Sequence, residues 1–231
     1  MAFLKNILLT ILLLFLFSGC GSTIEPGNSK VGFTYYPLEK GLFKVYDAEA
    51  IAFTILGFDT TKFQLKEIVA DSFLTAVNEY TYILNRFTRP TAQDDWKLDS
   101  VWTARKTFTQ VIVTENNIPY AKLSFPIKKG LVWDGNAHNA KKEDIYLMQN
   151  IGESQTYSGK SLKTLTVVQG DDKTLVKNDE RNETYAENVG LVNKHLLVVD
   201  YVSDSQDEQY GKDIIVGGRS YKLSLISYGK E

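Results

Sequence analysis

The chain has 231 residues, 43% of them hydrophobic and 12% aromatic, with 13 tyrosines, one cysteine and a formal net charge of −2. That length supports one domain with a sizeable core, and a lone cysteine excludes an intramolecular disulfide. Charge of both signs is spread along the chain without a basic tail or patch, which argues against a nucleic-acid partner.

The first element is a leader. Lys5 precedes an apolar run from Ile7 to Phe17, broken only by Thr10, and Ser18-Gly19-Cys20 follows. A positive start, an apolar stretch of about 7–15 residues and small residues before a cut site make a secretory signal peptide. The run is short of the roughly 20 residues that span a bilayer. An ordinary signal peptide with an incidental cysteine and a buried apolar helix are the alternatives. Phe17-Ser18-Gly19-Cys20 resembles the lipobox of bacterial lipoproteins, with Phe17 where Leu is usual. The resemblance implies that residues 1–19 are removed, that the Cys20 thiol is diacylated and that the new amino group is acylated. Each buried methylene contributes about 0.8 kcal/mol, so two or more acyl chains anchor a protein stably. The expectation is a protein held on a membrane by lipid at Cys20 and not spanning it. Gly21, where an Asp retains many such lipoproteins at the inner membrane, implies the outer membrane, facing the periplasm. Loss of Lys5 takes the net charge to −3. Residues 20–30, ending in a polar stretch with Gly and Pro, read as a lipidated tether, leaving 31–231 as a single β domain.

Alternation of apolar and polar residues dominates after position 40 and predicts strands. Phe43 to Ile55 reads as one long strand or two joined ones, and Phe63 to Phe73 as the next, with Phe63, Leu65 and Val69 on one side. Tyr80, Tyr82, Leu84 and Arg86 alternate with Thr81, Ile83, Asn85 and Phe87. Pro90 ends that strand, because proline cannot donate to a ladder. Val101 to Thr114 reads as one β-branched region. Glu115-Asn116-Asn117 then turns the chain into Tyr120 to Phe125, a hairpin signal. Pro126 to Ala140 carries turn chemistry and reads as a loop. Strands resume at Ile145–Met148, Lys163–Gln169, His195–Ser203 and Ser220–Ser227. Turns are expected at Gly170-Asp171-Asp172, at Asp204 to Lys212 and at Gly217-Gly218. Polar Asp179 to Asn188 is the one candidate for a turn of helix. The predicted fold class is all-β, mainly antiparallel, a strongly curved sheet, half-barrel or sandwich with little helix beyond the signal segment.

Four boxes in order resemble a group of small bacterial lipoproteins of unknown function. They are Tyr35-Tyr36-Pro37-Leu38 with Gly41, Phe125-Pro126-Ile127 with Trp133-Asp134-Gly135-Asn136, Tyr185 to Val192, and Gly217-Gly218-Arg219-Ser220-Tyr221 to Gly229. The resemblance implies a curved antiparallel sheet wrapped into a half-barrel. That architecture also occurs in the carriers and receptors that move lipoproteins to the outer membrane, where the concave face holds acyl chains. It implies no ligand-contacting residue here.

Candidate chemistry is sparse. His138 and His195 are the only histidines, read as a surface residue and a strand-end residue; with Cys20 committed to lipid, they do not make the three or four ligands of a zinc site, and no metal or other cofactor is expected. No G-x-S-x-G elbow occurs. Asp94-Asp95 and Asp171-Asp172 are acidic pairs of the kind used on sugars, yet neighbours on a strand face opposite ways and both sit in turn-like contexts. Asp204 to Glu208 lacks the glycine and distal glutamate of a calcium loop. Trp133 beside Asp134 and Asn136 could stack on a sugar; the favoured reading is a Trp that plugs the barrel end while Asp134 and Asn136 cap the turn. Asn182-Glu183-Thr184, Asp59-Thr60-Thr61 and Asp99-Ser100-Val101 match glycosylation patterns that arise often by chance. No catalytic residue is assigned. The expectation is a non-catalytic, lipid-anchored envelope protein whose concave apolar face takes a hydrophobic or lipid ligand. The alternative is an accessory subunit of an outer-membrane assembly with a packed interior, and the expected partners are the membrane, such a ligand or an envelope protein.

Overall fold

The computed structural model describes residues 31–76 and 78–231. Cys20 and the leader and tether lie outside the described residues. The chain forms one twelve-stranded antiparallel sheet. Its strands are β1 (Leu42–Thr54), β2 (Gly57–Leu74), β3 (Tyr80–Arg89), β4 (Lys97–Lys106), β5 (Gln110–Glu115), β6 (Ile118–Ser124), β7 (Val132–Asp134), β8 (Ile145–Tyr157), β9 (Lys160–Lys173), β10 (Lys177–Ala186), β11 (Gly190–Tyr201) and β12 (Ile215–Lys230). No helix among the described residues is long and apolar enough to cross a membrane.

The order across the sheet is β6-β5-β4-β3-β2-β1-β12-β11-β10-β9-β8-β7. Every ladder joins strands consecutive in the chain except β1 with β12, which brings the two ends of the domain together. Leu42 lies opposite Lys230, and Glu231 N–H donates to the Gly41 carbonyl at 2.9 Å. The sheet is therefore an up-and-down meander wrapped into a nearly closed barrel. Its gap falls between β6 and β7. There the Ala121 amide donates to the Gly135 carbonyl at 2.9 Å, Trp133 Nε1 donates to the Ala121 carbonyl at 2.8 Å, and Asn139 Nδ2 donates to the Pro119 carbonyl at 2.8 Å. A few such bonds hold the seam where a ladder would otherwise run.

The turns follow local chemistry. Asn116 and Asn117 both take positive φ, 50° and 66°, the pattern of a two-residue hairpin turn that matches strand twist. β3 stops at Arg89, before Pro90. Val101 to Thr114 is two strands, broken where Thr107 Oγ1 accepts from the Thr109 and Gln110 amides. Asp171 and Asp172 lie inside β9, and the reversal comes later, where Thr174 Oγ1 accepts from the Val176 and Lys177 amides. Gly217 and Gly218 are part of β12 and not a turn. A Cβ at Gly218 (φ 121°) would lie 2.3 Å from the Val198 carbonyl oxygen, so the neighbouring backbone needs glycine there. The expected helical turn at Asp179 to Asn188 is β10 running into a turn, and a strand, β7, stands inside the expected loop.

The segment before β1 crosses the barrel as a strap. Its 3-10 turn, Phe33–Tyr35, packs on residues from both halves of the sheet. The rings of Phe33 and Phe125 meet edge to face at 4.8 Å, those of Tyr36 and Tyr185 lie 6.0 Å apart, and the Asn188 amide donates to the Thr34 carbonyl at 2.8 Å. Gly32 (φ 94°) lies so close to Ile127 that a Cβ would sit 1.9 Å from Cγ1. Three of the boxes noted in the sequence thus meet at this end. Buried Val111, Leu123, Met148, Leu165 and Val167 continue one core cluster from the strap, and Tyr46, Leu65, Val192, Leu223 and Leu225 form a second. Fully burying one such aliphatic side chain stabilises by about 1.5–3 kcal/mol.

Candidate functional site

The inward face carries charge as well as apolar side chains. Lys44, Glu67 and Arg86 stand directly opposite one another on β1, β2 and β3. Lys44 Nζ lies 2.9 Å from Glu67, and Arg86 Nε 3.7 Å from it. Across the barrel Glu183 on β10 stands opposite Lys194 on β11, 2.9 Å away. Lys122 on β6 joins the two sides. Its Nζ donates to Glu183 at 2.6 Å and lies 3.1 Å from Glu115 on β5. A bulge in the β5–β6 ladder leaves Lys122 without an opposite number. The extra residue re-aims the side chains and lets Ala121, Lys122 and Leu123 all be buried.

Glu183 is the best satisfied of these groups. Its side chain is 1% exposed; besides both lysines it accepts the Tyr185 hydroxyl at 2.5 Å. Burial alone would raise its pKa, but Lys122 and Lys194 outweigh that and hold the carboxyl well below the usual range. Burial likewise opposes ionisation of Glu67, and Lys44 and Arg86 overcome it. Lys122 is desolvated too, yet Glu115 and Glu183 push its pKa upward. Burial pushes the hydroxyls of Tyr36, Tyr46 and Tyr185 up. Every one of these shifts moves the group away from neutrality. General acid–base work needs the opposite, a pKa near the working pH. The arrangement suits fixed-charge recognition.

All of these charged groups except Lys44, together with the three tyrosines, line a cavity of about 670 Å³. The charged groups and Tyr36 of the strap lie on one side; Leu65, Trp102, Leu196, Tyr221 and Leu223 supply an apolar wall. Alanine at positions 50 and 52 of β1, opposite Tyr221 and Arg219 of β12, leaves the space. Asp59, Asn116, Lys141 and Arg219 line it toward the end away from the strap. The expected concave apolar face is thus corrected. Four cations (Lys44, Arg86, Lys122, Lys194) and three carboxylates (Glu67, Glu115, Glu183) share the interior, because their mutual pairing makes burial tolerable. Nor is the interior packed solid, as the accessory-subunit alternative expected.

The residues singled out from sequence do not converge on this cavity. His138 is exposed and bonded to Gln110 at 2.7 Å. His195 is mid-strand in β11, not at a strand end, and lies 3.6 Å from Glu180. No metal-holding group of His, Cys, Asp or Glu occurs among the described residues. Asp94 caps a turn by accepting from the Thr91 amide at 2.9 Å. Asp204 and Asp207 cap theirs by accepting from the Gln206 and Gln209 amides. Trp133 is buried against Tyr146 at 5.9 Å, at the seam. Asp134 accepts from the Asn136 and Asp144 amides. The packing and capping reading of that box holds. What went unseen is the charged set itself. Glu67 shares its phase with Phe63, Leu65 and Val69, and Arg86 with Tyr82 and Leu84. A charge in step with apolar inward positions on adjacent strands was the signal.

No protein-family model matches the chain, and no curated protein does. Among solved structures the chain is similar to a protein assigned as exported, with a YmcC-like fold, from Bacteroides fragilis. The identity is 13%, over 84% of this chain and 98% of that one, with a TM-score of 0.42. It is also similar to a protein assigned as a lipoprotein from Parabacteroides distasonis. There the identity is 11%, over 85% of this chain and 98% of that one, with a TM-score of 0.41.

Proposed function

We propose that this chain is a non-catalytic envelope protein, acylated at Cys20 and held at the outer membrane facing the periplasm, that takes a ligand into its barrel. The observation that carries the ligand reading is a cavity of about 670 Å³ inside a barrel in which Glu67, Lys122 and Glu183 are paired and held in their charged forms. Fixed charges of this kind suit binding better than proton transfer. Pockets of roughly 300–1,000 Å³ with a few convergent polar groups are the common form of small-molecule sites. Native mass spectrometry of the protein extracted from its own cells tests this. A bound small molecule released by Ala50→Trp, which fills the space, is the expected result; a bare polypeptide that takes up nothing from a cell extract overturns it. Labelled palmitate entering the wild-type chain and not Cys20→Ala tests the anchor.

A second reading, an accessory subunit of an envelope assembly, is favoured by the β1–β2 hairpin tip. There Leu56 is 94% exposed, beside exposed Ile55 and Phe58. A photo-crosslinker at position 56 that captures one envelope protein in cells supports it, and absence of any adduct counts against it.

A further inference from the structure

Arg86 differs from the other buried cations. Its side chain is 9% exposed, and its guanidinium sits over Trp102 with Cζ 3.5 Å from the ring centroid. Glu67, the nearest carboxylate, is already bonded to Lys44 at 2.9 Å and stands 3.7 Å from Arg86 Nε, beyond hydrogen-bond reach. Among the described residues neither Arg86 Nε nor Trp102 Nε1 has a hydrogen-bond partner. Buried donors are almost always bonded, and one left unmade is costly. The carboxylates elsewhere are engaged. Glu183 is bonded on both oxygens, and Glu115 faces Lys122. Arg86, with an unpartnered Nε and no carboxylate in hydrogen-bond reach, lines the cavity together with Trp102, and its guanidinium also bonds the Tyr221 hydroxyl.

The geometry points to an anionic amphiphile as the ligand, its carboxylate or phosphate on the Arg86 guanidinium that Trp102 backs and its apolar body along Leu65, Leu196, Tyr221 and Leu223. The guanidinium fork matches a carboxylate or phosphate where a lysine would offer only a point charge. The apolar wall accounts for the body, and Arg86, whose nearest carboxylate lies beyond hydrogen-bond reach, for the sign. This inference rests on the ligand reading above and adds the chemistry of the head group.

Calorimetric titration of the mature chain, residues 20–231 made without the leader and carrying Cys20→Ala so that no detergent is needed, uses dodecanoate, dodecyl phosphate, dodecan-1-ol, dodecyltrimethylammonium and acetate. One or both tailed anions bind, and the tighter of them identifies the head group. The alcohol and the cation bind more weakly by about tenfold or more, the usual worth of a hydrogen bond to a charged group, and acetate does not bind. Arg86→Leu loses the tailed anions by a similar factor, Arg86→Lys recovers part of the loss, and Trp102→Phe costs several-fold. Alcohol binding as tight as the anions overturns the anionic head while leaving a cavity ligand in place. Acetate binding as tight as dodecanoate overturns the amphiphile. If no probe binds, the cavity reading falls with it. The probe series needs only the one chain, so a variant that fails to fold leaves the decision intact.

Discussion

Glu183 shows how a barrel interior can keep charge. Both its carboxylate oxygens are engaged, by two lysines and a tyrosine. Removing one partner from a buried pair leaves an uncompensated charge and costs about 3–5 kcal/mol. Glu183→Gln leaves Lys194 against a neutral amide and Lys122 with Glu115 alone. The expected outcome is a loss of that size in urea unfolding. The pH dependence follows from the direction of the shifts. Glu183 and Glu67 have pKa values lowered from the ordinary 4.5, so in acid the unfolded chain binds more protons than the native one. The stability they supply is complete above about pH 4.5 and is lost as the pH falls from there through the native values. Urea midpoints should be level from pH 7 to 5 and drop below 4.5, with a shallower acid slope in Glu183→Gln. Equal slopes in the two proteins would remove Glu183 from the account. At this scale little of the site was legible. Asn182-Glu183-Thr184 reads as a glycosylation pattern, and Lys122 as the polar member of an alternating strand. Each looks solvated until strands far apart in sequence are brought face to face.

At the scale of elements the sequence was a better guide. Period-two alternation locates most of the strands, though neither β7 nor β10, because most inward positions are apolar. Pro90 and Asn116-Asn117 marked their ends for backbone reasons that need no tertiary context. The failures have separate causes. β10 was read as a turn of helix because its inward Glu183 and its outer residues are all polar, so the alternation vanishes. Gly217-Gly218 was read as a turn because glycine permits one, whereas its use here is close approach of two backbones. Gly218→Ala should therefore act through β11. A Cβ meeting the Val198 carbonyl at 2.3 Å, at a φ that side chains avoid, should cost about 1–3 kcal/mol in strain and overpacking. It should also lower amide-exchange protection in both β11 and β12. A cost confined to a few tenths of a kcal/mol would mean the ladder adjusts freely.

Across the whole molecule the ring is uneven. Eleven ladders connect neighbouring strands, and the β6–β7 seam depends on one backbone bond with Trp133 and Asn139 behind it. Trp133→Phe keeps a ring edge to face with Tyr146 but removes the bond to Ala121. The Ala121 amide should then exchange markedly faster while amides of β1 and β12 keep their protection. Uniform protection in the variant would show that the seam does not open independently. Closure by β1 with β12 has a kinetic result too. These strands begin 173 positions apart, 42 against 215, and joining such remote segments is what slows β topologies. A nascent polypeptide leaving a ribosome or a translocation pore amino end first holds β1 with one edge bare until its last sixteen-residue strand has emerged. Until then it carries an open template of the kind that pairs with other chains, and chaperoning is needed most in that interval.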